Sequence, residues 1–229
     1  MLREIVLDTE TTGLDPFSGH RMVEIGCVEL MGHVPTGNHF HTYLNPERDM
    51  PREAENVHGL SAEFLKDKPL FKIVARAFLE FIGDAPLVIH NAGFDLKFLN
   101  AELDALGLPL IDAARAIDTV LIARKMFPGS PANLDALCKR FNIDTSARTK
   151  HGALLDAELL ADVYLEMKGG RQSSLLEKSN HESRIANHAA LAFSGHTDIP
   201  ARNFPPTSEE LAAHAAMTAK LKNPLWNAG

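Results

Sequence analysis

The chain has 229 residues, 45% hydrophobic and 23% charged, an ordinary composition for one soluble core plus an appendage. Acids outnumber bases 30 to 23, a net charge of −7, which argues against a general polyanion-binding surface but leaves nucleic acid open wherever bound cations supply positive charge. No apolar run of about 18 residues is present, the start of the chain enters a strand with no room for a signal peptide, and Cys27 and Cys138 sit in apolar contexts that suit buried, reduced thiols, so a cytoplasmic protein with no membrane partner is expected.

The first strand is predicted over residues 4–8, an apolar run (Ile5-Val6-Leu7) that meets two acids, Asp8 and Glu10, before a turn at Gly13 and Pro16. Met22 to Leu30 reads as a second strand and His39 to Leu44 as a third. Turns containing Gly32, Gly37 and Asn38 separate them, which gives an antiparallel meander ended by Pro46. His39 and His41 could share a strand face, with nothing nearby to complete a site. Residues 51–69 read as irregular or short helix, with a start signal at Ser61. Apolar side chains at helical spacing (Leu70, Ile73, Val74, Ala77, Phe78, Phe81) predict a helix over 70–82, stopped by Gly83-Asp84. Pro86 to His90 reads as a buried parallel strand, Asn91 to Gly93 as a turn, and Phe94 to Leu106 as a helix closed by Gly107. A brief strand at Ala116 to Asp118 precedes a helix to about Phe127. Asn133 suits the N-cap of a helix over Leu134 to Phe141, and a last helix is predicted from Gly152 to Met167.

Beyond Gly169-Gly170 the composition shifts. Residues 171–195 are rich in Ser, Asn, His, Glu and Lys and read as a flexible linker. Residues 207–221 read as an autonomous helix, capped by Thr207 or Ser208, with Glu209 and Glu210 in the first turn and Lys220 and Lys222 near the end. Trp226, close to the end with no core to join, suits anchorage to a partner.

Three stretches carry acids at the ends of elements. Asp8 and Glu10 project to the same side at the exit of strand one, because side chains two apart share a face. Asp95 follows an apolar strand at the mouth of a helix. His151 stands at a helix entrance, with Asp156 about one and a half turns inside among Leu154, Leu155, Leu159 and Leu160. Carboxylates gathered in apolar surroundings need a compensating charge. Four of them imply shared divalent cations, and hard cations prefer carboxylate oxygen. Two ions ~3.5–4 Å apart can clamp the attacking and leaving oxygens of a phosphodiester. A histidine of ordinary pKa ~6.5 can take the proton of the attacking water. Magnesium is the default ion, and manganese can substitute.

The segments DTETTGLD at 8–15, HNAGFDLKFL at 90–99 and HGALLDAELLADVYLEM at 151–167 resemble the three motifs of the DEDDh 3′–5′ exonucleases, and the match spans residues 4–167. The histidine five residues before the last aspartate belongs to the histidine rather than the tyrosine subclass. ENVHGLSAEFLKDKPLF, ARKMFPGSPANLDALCKRF and TKHGALLDAELLADVYL are similar, more narrowly, to the epsilon proofreading subunits of bacterial DNA polymerase III.

The resemblance implies a ribonuclease-H-like α/β fold, a five-stranded mixed sheet with helices on both sides, followed by a flexible C-terminal tail. It implies an exonuclease domain over 1–170, a linker over 171–206, and a polymerase-binding tail over 207–229. It implies that Asp8, Glu10, Asp95 and Asp156 hold two divalent ions, Mg2+ or Mn2+, and that His151 is the base. Glu53, Val57 and His58, with Asp8, Glu10 and Asp156, would receive the single-stranded 3′ end of DNA. Without the resemblance, His58 would read as a surface turn residue before Gly59. Gln172, Leu175 and Leu176 resemble a sliding-clamp-binding peptide, although Glu177 stands where an aromatic often sits. The tail helix and Trp226 resemble the segment that binds the polymerase alpha subunit. Two alternatives remain open on the residues: a stand-alone RNA-trimming DEDDh exonuclease, which would not need the tail, and a non-catalytic replicase subunit, which would not need the five motif residues.

Overall fold

The first strand outlasts its apolar residues. In the computed structural model, which describes residues 2–146, 148, 150–170 and 207–220, β1 runs Arg3–Thr11 and does not stop at Asp8. Asp8 and Glu10 therefore lie inside the strand, opposite Gly26 and Glu24 of the antiparallel β2 (Met22–Met31). Backbone pairing does not require apolar side chains, and β2 provides a partner for each of these residues. A break in register between Glu10 and Thr11 ends the regular ladder.

β3 (Val34–Tyr43) starts five residues before the predicted strand. Its first half, VPTGN, is exposed and has no apolar alternation, and only pairing to Leu30 and Met31 makes it strand. β4 (Leu87–Ile89) and β5 (Ala116–Asp118) are short and parallel, as expected. The sheet order is β3-β2-β1-β4-β5. β1 is thus the junction, with an antiparallel neighbour on one side and a parallel one on the other.

The helices in chain order are α1 (Arg52–His58), α2 (Ala62–Leu65), α3 (Phe71–Ile82), α4 (Ala92–Ala105), α5 (Thr119–Met126), α6 (Leu134–Phe141) and α7 (Ala153–Met167). Ser61 and Asn133 accept hydrogen bonds from the first turns of α2 and α6, as their side chains suggest. α4 begins two residues earlier than predicted. Asn91 takes a left-handed conformation (φ 69°), and Asp118 at the end of β5 accepts hydrogen bonds from the N–H groups of Asn91 and Ala92, at 3.3 and 3.2 Å. The cap comes from another strand, which local sequence cannot reveal.

The alternation of β1 feeds two cores. Ile5 and Leu7 join Leu87, Ile89 and the apolar sides of α3 and α4. Val6 joins Val28 and Val88 beneath α6 and α7. By the same alternation Asp8 and Glu10 continue the Val6 face toward α7, and Thr9 continues the Leu7 face toward α4. The expected five-stranded mixed sheet with helices on both faces is present.

A second unit, Glu182–Gly229, is separate from the first, Met1–His181. Its described part is α8 (Ser208–Thr218), capped by Thr207, whose hydroxyl accepts from Glu210 N–H while Glu210 accepts from Thr207 N–H. The linker, Gln172, Leu175, Leu176, Lys222 and Trp226 lie outside the described residues. Among the described residues no helix is long and apolar enough to cross a membrane.

α7 enters directly over β2 at Gly26, where an added Cβ would stand 2.3 Å from the Ala153 carbonyl carbon and the Leu154 nitrogen. These are backbone atoms and cannot rotate aside. Gly26→Ala is expected to push the start of α7 off the sheet and to cost about 1–3 kcal/mol, the usual range for overpacking. A urea unfolding midpoint equal to that of the unsubstituted chain would refute this close approach.

Candidate active site

Three elements, β1, α4 and α7, and the residue before the cap of α7 bring the predicted residues to one corner of the sheet. Parallel β1 and β4 both point their carboxyl ends here, the place where open α/β sheets present ligand sites. β1 contributes Asp8 and Glu10, both partly buried. α4 contributes Asp95 in its first turn, 3% exposed. α7 contributes Asp156, 4% exposed and also in the first turn. This helix starts at Ala153 with Gly152 as its N-cap, so the acid sits closer to the helix entrance than the predicted one and a half turns. His151 precedes the cap, its N–H donating to the Val57 carbonyl at 3.3 Å and tying α1 to the entrance of α7.

The acids crowd each other. Glu10, His151 and Asp156 each offer a ligand atom within 4.8 Å of the others. Asp8 and Asp95 fall outside that tight set, yet Asp8 feels Asp95, Glu10 and Asp156 through space. Burial, and then repulsion from those three and from Glu24, pushes the Asp8 carboxyl well above its usual range. Burial first, then Asp156, Glu24 and Asp95, raises Glu10 to about 8, with Arg148 opposing. Burial raises Asp95 to about 7, although hydrogen bonds from the Thr9 hydroxyl (2.7 Å) and backbone offset part of the shift. Carboxyls that resist ionisation in this way are a ready receptor for hard cations. The donor set of four carboxylates and one imidazole suits magnesium or manganese rather than a soft metal.

Beside this corner lies a cleft of about 600 Å³, lined by Glu10, Thr11, Thr12, Glu53, Val57, His58 and Phe94 among others. This is the size of a small-ligand site. Glu53 and Val57 are exposed on α1, and His58, at its end, is 5% exposed rather than a surface turn residue. His58 Nδ1 accepts the Leu60 N–H at 3.0 Å. Burial holds His58 below its usual pKa, with the Thr11 carbonyl opposing. The neutral ring therefore carries its hydrogen on Nε2, and this buried atom makes no hydrogen bond of ordinary geometry. The Thr11 carbonyl is the acceptor available to this hydrogen, since it opposes the lowering of the His58 pKa.

Other side chains at the site carried little local signal. Thr9 reaches Asp95 only because β1 continues past Leu7. Glu24, 3% exposed, lies opposite Glu10 across the β1–β2 ladder, where paired residues share a face, and it accepts or shares a hydrogen with His41 Nε2 at 2.7 Å. His41 thus does have a partner beside the site. Arg148 comes from the loop before α7 and forms a two-pronged contact with Asp156. Asp118 is structural: it caps α5 by accepting from Val120 N–H at 2.8 Å and also holds the start of α4. His90 is satisfied by the Thr119 hydroxyl at 2.9 Å.

Comparison with known proteins bears on the family and the fold. The RNase_T family model, described as Exonuclease, matches residues 5–164. A protein of Rickettsia conorii called DNA polymerase III subunit epsilon is 54% identical over 96% of this chain and 96% of its own length. The Escherichia coli protein of the same name is 45% identical over 93% of this chain and 91% of its own length. Among solved structures, the nuclease domain of 3′hExo, a DEDDh family member bound to rAMP, superposes with a TM-score of 0.63 at 19% identity, covering 73% of this chain and 92% of that one. Exonuclease X with 5′ overhanging duplex DNA gives 0.57 at 24% identity, over 72% and 91%. These two share the fold, which is ribonuclease-H-like. The chain therefore belongs to the RNase_T exonuclease family, with DNA polymerase III epsilon subunits among its high-identity relatives.

Proposed function

We propose that the chain is the proofreading subunit of a bacterial replicase and removes mispaired 3′-terminal nucleotides from DNA, releasing nucleoside 5′-monophosphates. The observation that carries this is the meeting of Asp8, Glu10, Asp95 and Asp156 beside His151, next to a cleft of about 600 Å³. The names of the close relatives support the polymerase setting and hence work at the chromosome, in the cytoplasm.

In this reading Asp8, Glu10, Asp95 and Asp156 hold two divalent ions, Mg2+ or Mn2+. Glu10 and Asp156, which lie closest together, would be joined in this by Asp8 and Asp95. Such ions would supply Lewis acidity for a water and for charge on the attacking and leaving oxygens. The remaining work falls to the protein. His151, with 46% of its side chain exposed, accepts the proton of the attacking water and passes it to solvent. His58, Val57 and Phe94 line the cleft that receives the terminal nucleotide, and Val57 and Phe94 provide apolar surface for its sugar and base. Glu53 lines the mouth of the cleft. A cleft of this size admits one unpaired end, and a mispaired terminus frays at lower cost than a paired one, so mispairs are removed faster.

The tail reading completes the proposal. α8 and Trp226 bind the polymerase alpha subunit, and Gln172, Leu175 and Leu176 bind the sliding clamp. Tethering raises the effective concentration of the nuclease at the primer end.

Single-stranded DNA and the matching RNA, both 3′-labelled, test the chemistry. The intact chain is expected to shorten DNA faster, with both activities abolished by Asp8→Ala or by excess chelator. Faster RNA turnover would favour the RNA-trimming alternative, and turnover in chelator would remove the metal mechanism.

A chain ending at Gly170 is expected to keep nuclease activity and to lose co-elution with the polymerase in gel filtration. Co-elution equal to that of the intact chain would show that the tail is not the tether.

Stability should report the same acids. Glu10 and Asp95 are raised to about 8 and about 7 from ordinary values of 4.5 and 3.8. The folded chain then binds more protons than the unfolded chain between those limits, and its stability falls as pH rises through the folded values. His58 and His90, lowered by burial from 6.5, act in the opposite sense but only below that pH. In chelator the melting temperature is expected to fall between about pH 6.5 and 8.5, and Mg2+ should largely abolish the fall. A melting temperature that climbs across that window in chelator would contradict the assignment.

A further inference from the structure

The corner of four acids contains a cation of the protein's own. Arg148 donates from Nε to Asp156 Oδ1 at 2.6 Å and from Nη2 to Oδ2 at 2.7 Å. Its Nη1 donates to Asp135, and Nη2 also lies 2.8 Å from His151 Nδ1. The Arg148 side chain is only 8% exposed, although Asp135 beyond it is 70% exposed. A two-pronged guanidinium contact of this length is the strongest form of ion pair and is specific in direction.

Two features of this contact bear on the chemistry. First, the fork engages both oxygens of Asp156, and a divalent ion would draw on the same oxygens. A guanidinium and a divalent ion on one carboxylate also repel each other through a poorly screened interior. Second, His151 Nδ1 lies 3.0 Å from Asp156 Oδ2 as well as 2.8 Å from Arg148 Nη2. A ring nitrogen can accept from the guanidinium or donate to the carboxylate, and it cannot do both at once. While Nδ1 accepts from Arg148, the neutral ring keeps its hydrogen on Nε2 and has no free lone pair for a water proton. One side chain therefore engages a proposed metal ligand and the proposed base together.

We infer that Arg148 is a positioning residue that competes with divalent cations for Asp156, so that ion binding and release of the Arg148 fork are one coupled step that also frees His151 Nδ1 to turn to the carboxylate. This rests on the reading of Asp156 as a metal ligand and His151 as the base. It differs from a supporting role, in which Arg148 would hold Asp156 ready for the ion and its loss would weaken binding. The sign of one measurement separates the two.

The test is calorimetric titration of the full chain with Mn2+ alone, without DNA, on the unsubstituted protein, Arg148→Gln, Arg148→Lys and Asp156→Asn. Arg148→Gln is expected to bind Mn2+ about tenfold more tightly, within the usual range for coupled sites. Arg148→Lys keeps the charge but cannot fork, and its affinity should fall between the two. Affinity that is unchanged or weaker in Arg148→Gln overturns the inference. Thermal melts in chelator establish that each variant is folded. Should Arg148→Gln not fold, Arg148→Lys decides alone: tighter binding supports competition, and equal or weaker binding refutes it. Asp156→Asn checks the underlying site separately. If it binds Mn2+ as tightly as the unsubstituted chain, the ligand assignment fails whatever Arg148 does.

Discussion

Four carboxylates held in one poorly solvated corner form the constraint on which the rest of this molecule turns. Two unit charges about 5 Å apart cost roughly 3 kcal/mol at an effective dielectric constant near 20. A typical net hydrogen bond returns about 1 kcal/mol. Hydrogen bonding alone cannot stabilise the ionised set, and Thr9, which donates to Asp95, only trims the shift. The corner must take up protons or cations. Arg148 supplies one positive charge, against Asp8, Glu10, Asp95, Asp156 and nearby Glu24, and Glu10 remains raised to about 8 despite it.

The architecture explains how so unfavourable a group is held. β1 is the junction strand, buried through Leu7 by cores on both faces. Its alternation then continues without a break into Asp8, Thr9 and Glu10, which inherit the directions fixed by Val6 and Leu7. The apolar half of one strand thus anchors the charged half, and the energy of two cores resists the repulsion. Gly26 has a matching part on β2. Its missing side chain lets the start of α7 lie against the sheet, and this brings Asp156 across to the face that bears Asp8 and Glu10.

The cleft and the acid corner solve different problems. His58 is a buried side chain in the cleft wall, held below its usual pKa by that burial. The corner is charged and responsive. Arg148 joins its two chemical roles, since a single guanidinium touches both the carboxylate and the imidazole. In the proposed function this couples ion loading to the state of the base, so the nuclease would not carry an active base while lacking its cations.

Much of this was legible in the chain. Strand and helix order, the caps at Ser61 and Asn133, the meander, and the acids at Asp8, Glu10, Asp95 and Asp156 with His151 follow from alternation, helical spacing and the resemblance of three motifs, because each signal is local. What tertiary structure alone decided depends on contacts between distant segments. The extension of β1 to Thr11 needs β2, the early start of α4 needs Asp118 from β5, and the exposed first half of β3 is strand only through pairing. Glu24 becomes part of the site through cross-strand register, and Arg148 through the fold of a loop with no periodicity of its own. Local pattern records which face a residue occupies. Only the packed chain records which charge stands opposite, and in this corner that second fact governs how ions and protons are shared.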